Sequence, residues 1–151
     1  MAKPVPDGYH TVTPYLIVSD GADAIEFYKG AFGALEHERM QDDSGKVRHA
    51  EISIGNSRIM LADESPELGA LSPKTIGGSP VSIHLYVDDV DAVVANAVAA
   101  GARVTRQVAD QFYGDRFGGV IDAFGHRWFV GTHKEDLRMD EIRARAVAER
   151  R

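Results

Sequence analysis

The chain has 151 residues, a formal net charge of −6 and a pI near 5.4, so it lacks the basic face that binding to nucleic-acid phosphates requires. No apolar run approaches the ~20 residues of a transmembrane helix, and MAKPVPDGYH lacks the apolar centre of a signal peptide. The absence of cysteine excludes thiolate catalysis, Cys-based zinc sites and disulfides. We therefore expect one cytoplasmic domain with neither a nucleic-acid nor a membrane partner.

The first half of the chain predicts a strand, a helix and three more strands. Val12–Val18 is rich in β-formers, and Asp20 is a good cap for a helix from Gly21 to Phe32. Gly33 lies where a helix C-terminal glycine is expected. Three strand-like segments follow, each bounded by turn residues: 34–41, 47–54 and 57–62.

The second half begins after a segment rich in Pro and Gly, 63–80, which is typical of a linker. The same pattern then restarts: a strand over 81–87, a helix over 89–100 that Gly101 ends, a strand over 102–109 and a strand pair within 110–133. The charged tail from residue 136 carries a thin apolar stripe of Leu137, Ile142 and Val147, which predicts a peripheral helix.

An internal repeat supports this organisation. Val18-Ser-Asp20 matches Val87-Asp-Asp89 at an offset of 69 residues, and the final strands return to that offset, with 58–61 against 127–130. The prediction is an α+β fold of two tandem βαβββ modules that form curved mixed sheets around a cleft, plus a C-terminal helix. Its bounds are a domain over 1–135 (module one 9–64, linker 65–79, module two 80–133) and a helical tail over 136–151.

The motifs within these modules resemble a known family. The segments TPYLIVSDGADAIEFYKGAFGA, HAEISIGNSRIMLADE and DQFYGDRFGGVIDAFGHRWFVGTH are similar to the vicinal oxygen chelate superfamily of glyoxalase, bleomycin-resistance and dioxygenase proteins, and within it to the PhnB-like branch. The resemblance covers residues 9–135. It implies a homodimer, in which the modules pair within one chain or swap between chains.

The resemblance also implies four positions for metal ligands, which here hold Thr13, Met60, Ser82 and Phe129. Divalent ions prefer imidazole and carboxylate, so this set is poor and we predict no cofactor. The minority interpretation is a divalent metal at a relocated site that uses His84 with Glu51 or His49.

Strand alternation predicts which side chains line the cleft. Tyr86 is predicted to face the cleft. Met60 and Phe129 either face the cleft or pack in the core, with equal weight for the two interpretations. Trp128 points away from the cleft, toward the core. Asp115 and Arg116 either orient a polar group or brace the strand bend. The predicted ligand-binding residues are Thr13, Tyr15, Arg58, Met60, Ser82, His84, Phe112, Tyr113, Arg127 and Phe129.

Two functions follow from this cleft. The favoured one is a binding protein that holds an unknown small organic molecule, apolar or aromatic, without the metal site of the superfamily. The alternative is a lyase, isomerase or dioxygenase-type enzyme that uses a relocated divalent metal, or His84 as a general acid or base. The sequence contains no recognisable nucleophile elbow and no phosphate-binding glycine loop.

Overall fold

The structure, a computed structural model, describes residues 1–150, which form eight strands and four helices. The strands are β1 Tyr15–Val18, β2 Leu35–Gln41, β3 Val47–Ile54, β4 Ser57–Asp63, β5 Ser82–Tyr86, β6 Arg103–Asp110, β7 Asp115–Ile121 and β8 Arg127–His133. The helices are α1 Gly21–Phe32, α2 Pro73–Ile76, α3 Val90–Ala99 and α4 Met139–Glu149.

The strands form two sheets of identical topology. Their orders are β1-β4-β3-β2 and β5-β8-β7-β6. β1 runs parallel to β4 and β5 runs parallel to β8, while all other neighbouring strands are antiparallel. Helix α1 connects β1 to β2, and helix α3 connects β5 to β6. The predicted α+β fold of two βαβββ modules with a C-terminal helix is confirmed.

Matching capping residues define both module helices. The side chain of Asp20 accepts a hydrogen bond from the backbone N–H of Asp23 at 3.1 Å, and Asp89 accepts one from Ala92 at 3.1 Å. Gly33 follows α1 in the left-handed conformation, with φ of 68°, which only glycine adopts without strain. The predicted bounds of α1 are correct to the residue.

The core lies between the sheets and these two helices, which pack against each other. Trp128 of β8 is fully buried, and its ring centroid lies 4.6 Å from that of Phe32 and 5.3 Å from that of Tyr28, both on α1. The prediction that Trp128 points toward the core is confirmed, and the helix that it contacts belongs to the other module. One hydrophobic core therefore joins the two modules.

Three segments differ from the predictions by more than one residue at an end or in their content. The first strand begins at Tyr15 rather than at Val12, because Pro14 has no N–H to donate to a neighbouring strand. The linker contains a 3₁₀ turn over Pro66–Leu68 and the short helix α2, whose cap residue Ser72 is fully buried. The tail helix begins at Met139 and buries no residue, and Val147 of the predicted apolar stripe is 51% exposed.

Candidate functional site

Each sheet has one face covered by the helices and one open face. In the first sheet Leu16 and Val18 of β1 are buried, whereas Tyr15 is 46% exposed. In the second sheet Val130 is fully buried and its neighbour Phe129 is half-buried. Side chains alternate along a strand, so the residues on the open faces are the ones available to a ligand.

The open faces of the two modules have the same register. Tyr15 pairs with Met60 in the first module, and His84 pairs with Phe129 in the second. Ser82 pairs with Arg127, which brings these two predicted residues together at the start of the second face. The sequence repeat is therefore a structural one, and four predicted residues of module two share one face.

Four rings form a continuous aromatic face on module two. The His84 centroid lies 4.8 Å from Tyr86 and 5.6 Å from Phe117, with the His84 and Phe117 rings stacked at an interplanar angle of 23°. Phe117 and Phe129 are also stacked, at 5.1 Å and 24°. Phe117 itself is only 6% exposed, so the accessible part of this face consists of the exposed His84 and Tyr86 rings and the half-buried Phe129 ring. Their apolar surface suits a flat apolar or aromatic molecule.

Two glycines make room for this aromatic face. A Cβ atom at Gly119 would lie only 2.9 Å from Cε1 of Phe129, and a Cβ atom at Gly131 would lie 3.4 Å from Nε2 of His84. Glycine in a strand interior weakens the strand and often marks a close approach of another group. The two glycines in DRFGGVI were a sequence signal for such a close approach, but sequence reasoning missed both Phe117 and the role of Gly119.

Arg106 of β6 adds a cation to the same face. Its guanidinium carbon lies 5.1 Å from the centroid of Phe117, within the range of a cation–π contact. No carboxylate of residues 1–150 forms an ion pair with this guanidinium, which donates a 3.4 Å hydrogen bond to the side chain of Gln111. Sequence reasoning missed Arg106, because strand alternation does not indicate which exposed arginine lies over a ring.

A cavity of about 640 Å³ lies beside His84, and its lining comes from β1, the 71–81 segment, β5 and the start of β8. Its wall is mainly aliphatic, with Ile17, Ile76 and Val81 among the residues that line it. The predicted ligand-binding residues that line it are Tyr15, Ser82, His84 and Arg127. Since His84 also belongs to the aromatic face, cavity and face are adjacent.

The open face of module one is polar instead. The hydroxyl of Tyr15 and Nδ1 of His49 are 2.9 Å apart, and Nε2 of His49 lies 2.9 Å from Oε2 of Glu51. Tyr9 donates a hydrogen bond to Oε1 of Glu51, and the guanidinium of Arg58 lies over the Tyr9 ring at 5.2 Å. The N-terminal arm, residues 1–11, thus contacts the first open face through Tyr9.

These contacts shift the pKa values of the groups that make them. The hydrogen bond from Tyr9, followed by that from His49, lowers the pKa of the Glu51 carboxyl, which is therefore an anion at neutral pH. Burial, followed by the hydrogen bond and charge of Glu51, raises the pKa of Tyr9 to about 12. Partial burial, followed by the charge of Glu51, raises the pKa of Tyr15 as well.

The remaining predicted residues lie around these surfaces. Thr13 is half-buried just before β1. Phe112 and Tyr113 are half-buried in the β6–β7 loop, where their rings meet edge to face at 5.2 Å.

Asp115 and Arg116 both have structural partners. The guanidinium of Arg116 binds Asp91 at 2.8 Å and Asp110 at 3.1 Å, and the carboxylate of Asp115 lies 2.7 Å from Nδ1 of His133. Of the two interpretations of Asp115 and Arg116, the geometry favours a brace at the strand bend.

The positions that hold a metal in the superfamily do not fit one here. Thr13, Met60, Ser82 and Phe129 offer two hydroxyls, a thioether and a phenyl ring, and a divalent ion prefers imidazole and carboxylate donors. A relocated site would need other donors close together. Residues 1–150 contain no group of three or more His, Cys, Asp and Glu side chains with the geometry to hold an ion. His84 is surrounded by rings, while His49 and Glu51 lie on the other sheet.

The fold is that of a protein built from two βαβββ modules, each with one open sheet face. Comparison with known families shows to which family of such proteins the chain belongs. The profile of the Glyoxalase/Bleomycin resistance protein/Dioxygenase superfamily matches residues 9–130 of the chain. The chain belongs to this superfamily. No helix within residues 1–150 is both long and apolar enough to cross a membrane.

The chain is also similar to individual proteins and solved structures. The chain is 43% identical over 136 residues to the uncharacterized protein Rv0887c of Mycobacterium tuberculosis. The match covers 88% of this chain and 80% of that protein. It resembles the crystal structure of the At5g48480 gene product of Arabidopsis thaliana (31% identity, TM-score 0.65, 81% of this chain and 98% of that one). It also shares its fold with a PhnB protein from Bacillus cereus (18% identity, TM-score 0.64, 82% and 99%).

Proposed function

We propose that this protein binds a small, flat, largely apolar or aromatic molecule on the aromatic face of module two, without the metal site of its superfamily. The observation that carries the proposal is the continuous stack of His84, Phe117 and Phe129. A rigid apolar ring surface stabilises a flat ligand at little cost in conformational entropy. The adjoining cavity is within the usual size range of small-molecule sites.

Arg106 narrows the chemical class of the ligand. The guanidinium of Arg106 lies over Phe117, which contacts His84 and Phe129, so it can contact an acidic substituent of a molecule that stacks on those neighbouring rings. We therefore expect the tightest ligands to combine an aromatic body with a carboxylate, sulfonate or phenolate group.

We also propose that the protein is a homodimer of the PhnB-like branch. The branch assignment rests on the motifs over 9–133, and the dimer on the resemblance and on exposed apolar side chains near the cavity. Val12 is 82% exposed, Val81 is 66% exposed and Ile76 is 65% exposed, and all three line the cavity. A second copy that covered these residues would bury apolar surface, at about 25 cal/mol per Å². Sedimentation equilibrium tests the assembly; a single species with the mass of one chain contradicts it.

A thermal-shift screen of flat aromatic compounds, with and without an acidic group, tests the binding function. Compounds that bind raise the unfolding midpoint in proportion to ln(1 + [L]/Kd). Phe129→Leu, which keeps the apolar character but removes the ring, should abolish the shift; Leu35→Ala, at an exposed position on the other sheet, should leave it unchanged. If no compound shifts the midpoint, the binding function is wrong.

Metal analysis of untagged protein, purified without chelators, tests the second half of the proposal. We expect less than one-tenth of an equivalent of Zn, Ni, Mn or Fe per chain, on the order expected for adventitious metal. One equivalent of any of these metals contradicts a metal-free site.

A further inference from the structure

The polar face of module one contains a hydrogen-bonded row of three side chains that lies outside the aromatic face. Tyr15 of β1 and His49 of β3 meet through the hydroxyl and Nδ1 at 2.9 Å, and Nε2 of His49 meets Glu51 at 2.9 Å. Both ring nitrogens of His49 are therefore engaged, one with a phenol and one with a carboxylate. The imidazole is held in one orientation between them.

The charge of Glu51 fixes the direction of these hydrogen bonds. An ionised carboxylate only accepts, so Nε2 of His49 donates to Glu51. In the neutral imidazole, Nδ1 is then the acceptor, and the Tyr15 hydroxyl donates its proton to it. Tyr9 also donates to Glu51, which keeps the carboxylate in place. The hydroxyl oxygen of Tyr15 is left with lone pairs that do not face His49.

We propose that Tyr15, His49 and Glu51 form an acid–base relay that makes Tyr15 the catalytic base for a ligand in the adjoining cavity. A proton from the ligand passes to the oxygen of Tyr15 as the phenolic proton passes to Nδ1 of His49. The ligand becomes an anion, and His49 becomes an imidazolium paired with the Glu51 carboxylate. The reverse transfer returns the proton to a different atom of the ligand anion, so the net reaction is an isomerisation.

The arrangement is suited to this step because it never requires a free phenolate. The raised pKa of Tyr15 disfavours ionisation of the phenol by itself. Transfer of its proton to His49 avoids that ionisation, as a serine hydroxyl does when a histidine paired with a carboxylate removes its proton. His49 and Glu51 act through Tyr15 and are positioning residues.

The cavity indicates the class of ligand that this base would take. Tyr15 lines it together with Pro14, Ile17 and His84, so the environment is mostly apolar. The choice of ligand rests on the proposed function, which predicts a flat, largely apolar molecule. For the relay to act on it, that molecule must also have an acidic hydrogen next to a carbonyl group. The activation of Tyr15 is a property of module one alone.

Methanesulfonyl fluoride tests that activation without any bound ligand. The oxygen of a tyrosine forms a bond to sulfur, the S–F bond breaks, fluoride leaves with the electron pair and the phenolic proton goes to the base. Peptide mass spectrometry measures the rate at each tyrosine. Tyr86 is 69% exposed and Tyr15 is 46% exposed, so exposure alone favours Tyr86. We expect Tyr15 to react at least about tenfold faster than Tyr86, since general-base assistance contributes about 10²–10⁴. Equal rates, or faster reaction at Tyr86, overturn the proposal.

Variants separate the relay from a structural role. His49→Gln and Glu51→Gln should each slow labelling of Tyr15 by about tenfold or more, whereas His37→Gln, at a histidine on β2 that binds Ser53, should not. Free imidazole should restore labelling in His49→Ala, which a merely structural histidine would not permit. Unchanged labelling in His49→Gln overturns the relay. Because methanesulfonyl fluoride has no aromatic ring, this result is independent of binding at Phe129, and either proposal can fail alone.

Discussion

The hydroxyl of Tyr28, on the helix of module one, donates a hydrogen bond to the carboxylate of Asp122, in the last turn of module two, at 2.6 Å. The same carboxylate accepts bonds from the indole of Trp128 at 2.9 Å and from the backbone N–H groups of Phe124 at 2.8 Å and His126 at 3.0 Å. Asp122 is 5% exposed, so it depends on these donors in place of water. The bond from Tyr28 therefore joins the modules through their common core.

Removal of that hydroxyl should weaken the whole fold. Tyr28→Phe leaves the carboxylate with one donor fewer in a buried site, so we expect a loss of about 1–3 kcal/mol in the free energy of unfolding. Urea denaturation followed by tryptophan fluorescence measures it, since Trp128 is the only tryptophan. Tyr86→Phe, at an exposed position, should stay within about 0.5 kcal/mol of the wild type. Equal stability of the two variants would refute the role of Tyr28.

Gly119→Ala tests the packing of the aromatic face. Its new methyl group would lie 2.9 Å from both Cε1 of Phe129 and Oγ1 of Thr105, so the ring must move. We expect a loss of about 1–3 kcal/mol in the free energy of unfolding, together with weaker ligand binding. Calorimetric unfolding and titration of a ligand from the screen measure the two effects.

Gly30→Ala is the matched control for this prediction. Gly30 lies inside α1, and apart from its chain neighbours and the backbone of that helix no atom lies within 4 Å of the added methyl group. Alanine should therefore stabilise the helix by about 0.5–1 kcal/mol. The two identical substitutions should thus have opposite signs. A stabilising Gly119→Ala would contradict the described position of Phe129.

His133 makes part of the stability depend on pH. Its hydrogen bonds to Asp115 and then Asp136, each at 2.7 Å, raise its pKa above the ordinary value of 6.5. A raised pKa in the folded state means that this contribution is complete below pH 6.5 and is lost as the pH rises through the higher value. The contribution is small, because the imidazole is exposed.

The unfolding midpoints of the wild type and of His133→Gln should be measured between about pH 5.5 and 9. Carboxylates are ionised throughout this range, so the titration of His133 accounts for the difference between the two proteins. The wild type should exceed the variant most at the acidic end, and the difference should shrink toward the basic end. A difference that grows with rising pH would show that His133 is not stabilised as a cation.

The sequence was sufficient for the fold because its signals are local and repeated. Asp20 with Gly33 bounds the first helix, and the repeat offset predicts that Met60 and Phe129 occupy equivalent positions. Strand alternation also predicted that Trp128 and Phe129 point to opposite faces. Each of these depends only on the chain's own periodicity.

The site was less accessible because its contacts join distant parts of the chain. The bond from Tyr15 to His49 spans 34 residues, and that from Tyr9 to Glu51 spans 42. Tyr9 belongs to an arm with no periodicity, so no pattern indicated where it would lie. Arg106 could be assigned to a strand, but its position over Phe117 depends on side-chain packing between two strands.

Aromatic ¹H–¹³C NMR of the protein with the compound that gives the largest thermal shift tests the central claim most directly. The rings of His84, Phe117 and Phe129 contact one another on the open side of the second sheet, where Phe117 is itself 6% exposed. Trp128, the neighbour of Phe129, is fully buried on the opposite side and serves as the internal control. We predict that saturating ligand shifts the ring signals of those three residues and leaves the Trp128 signals in place. Ligand-induced shifts that spare all three rings would contradict binding at the aromatic face.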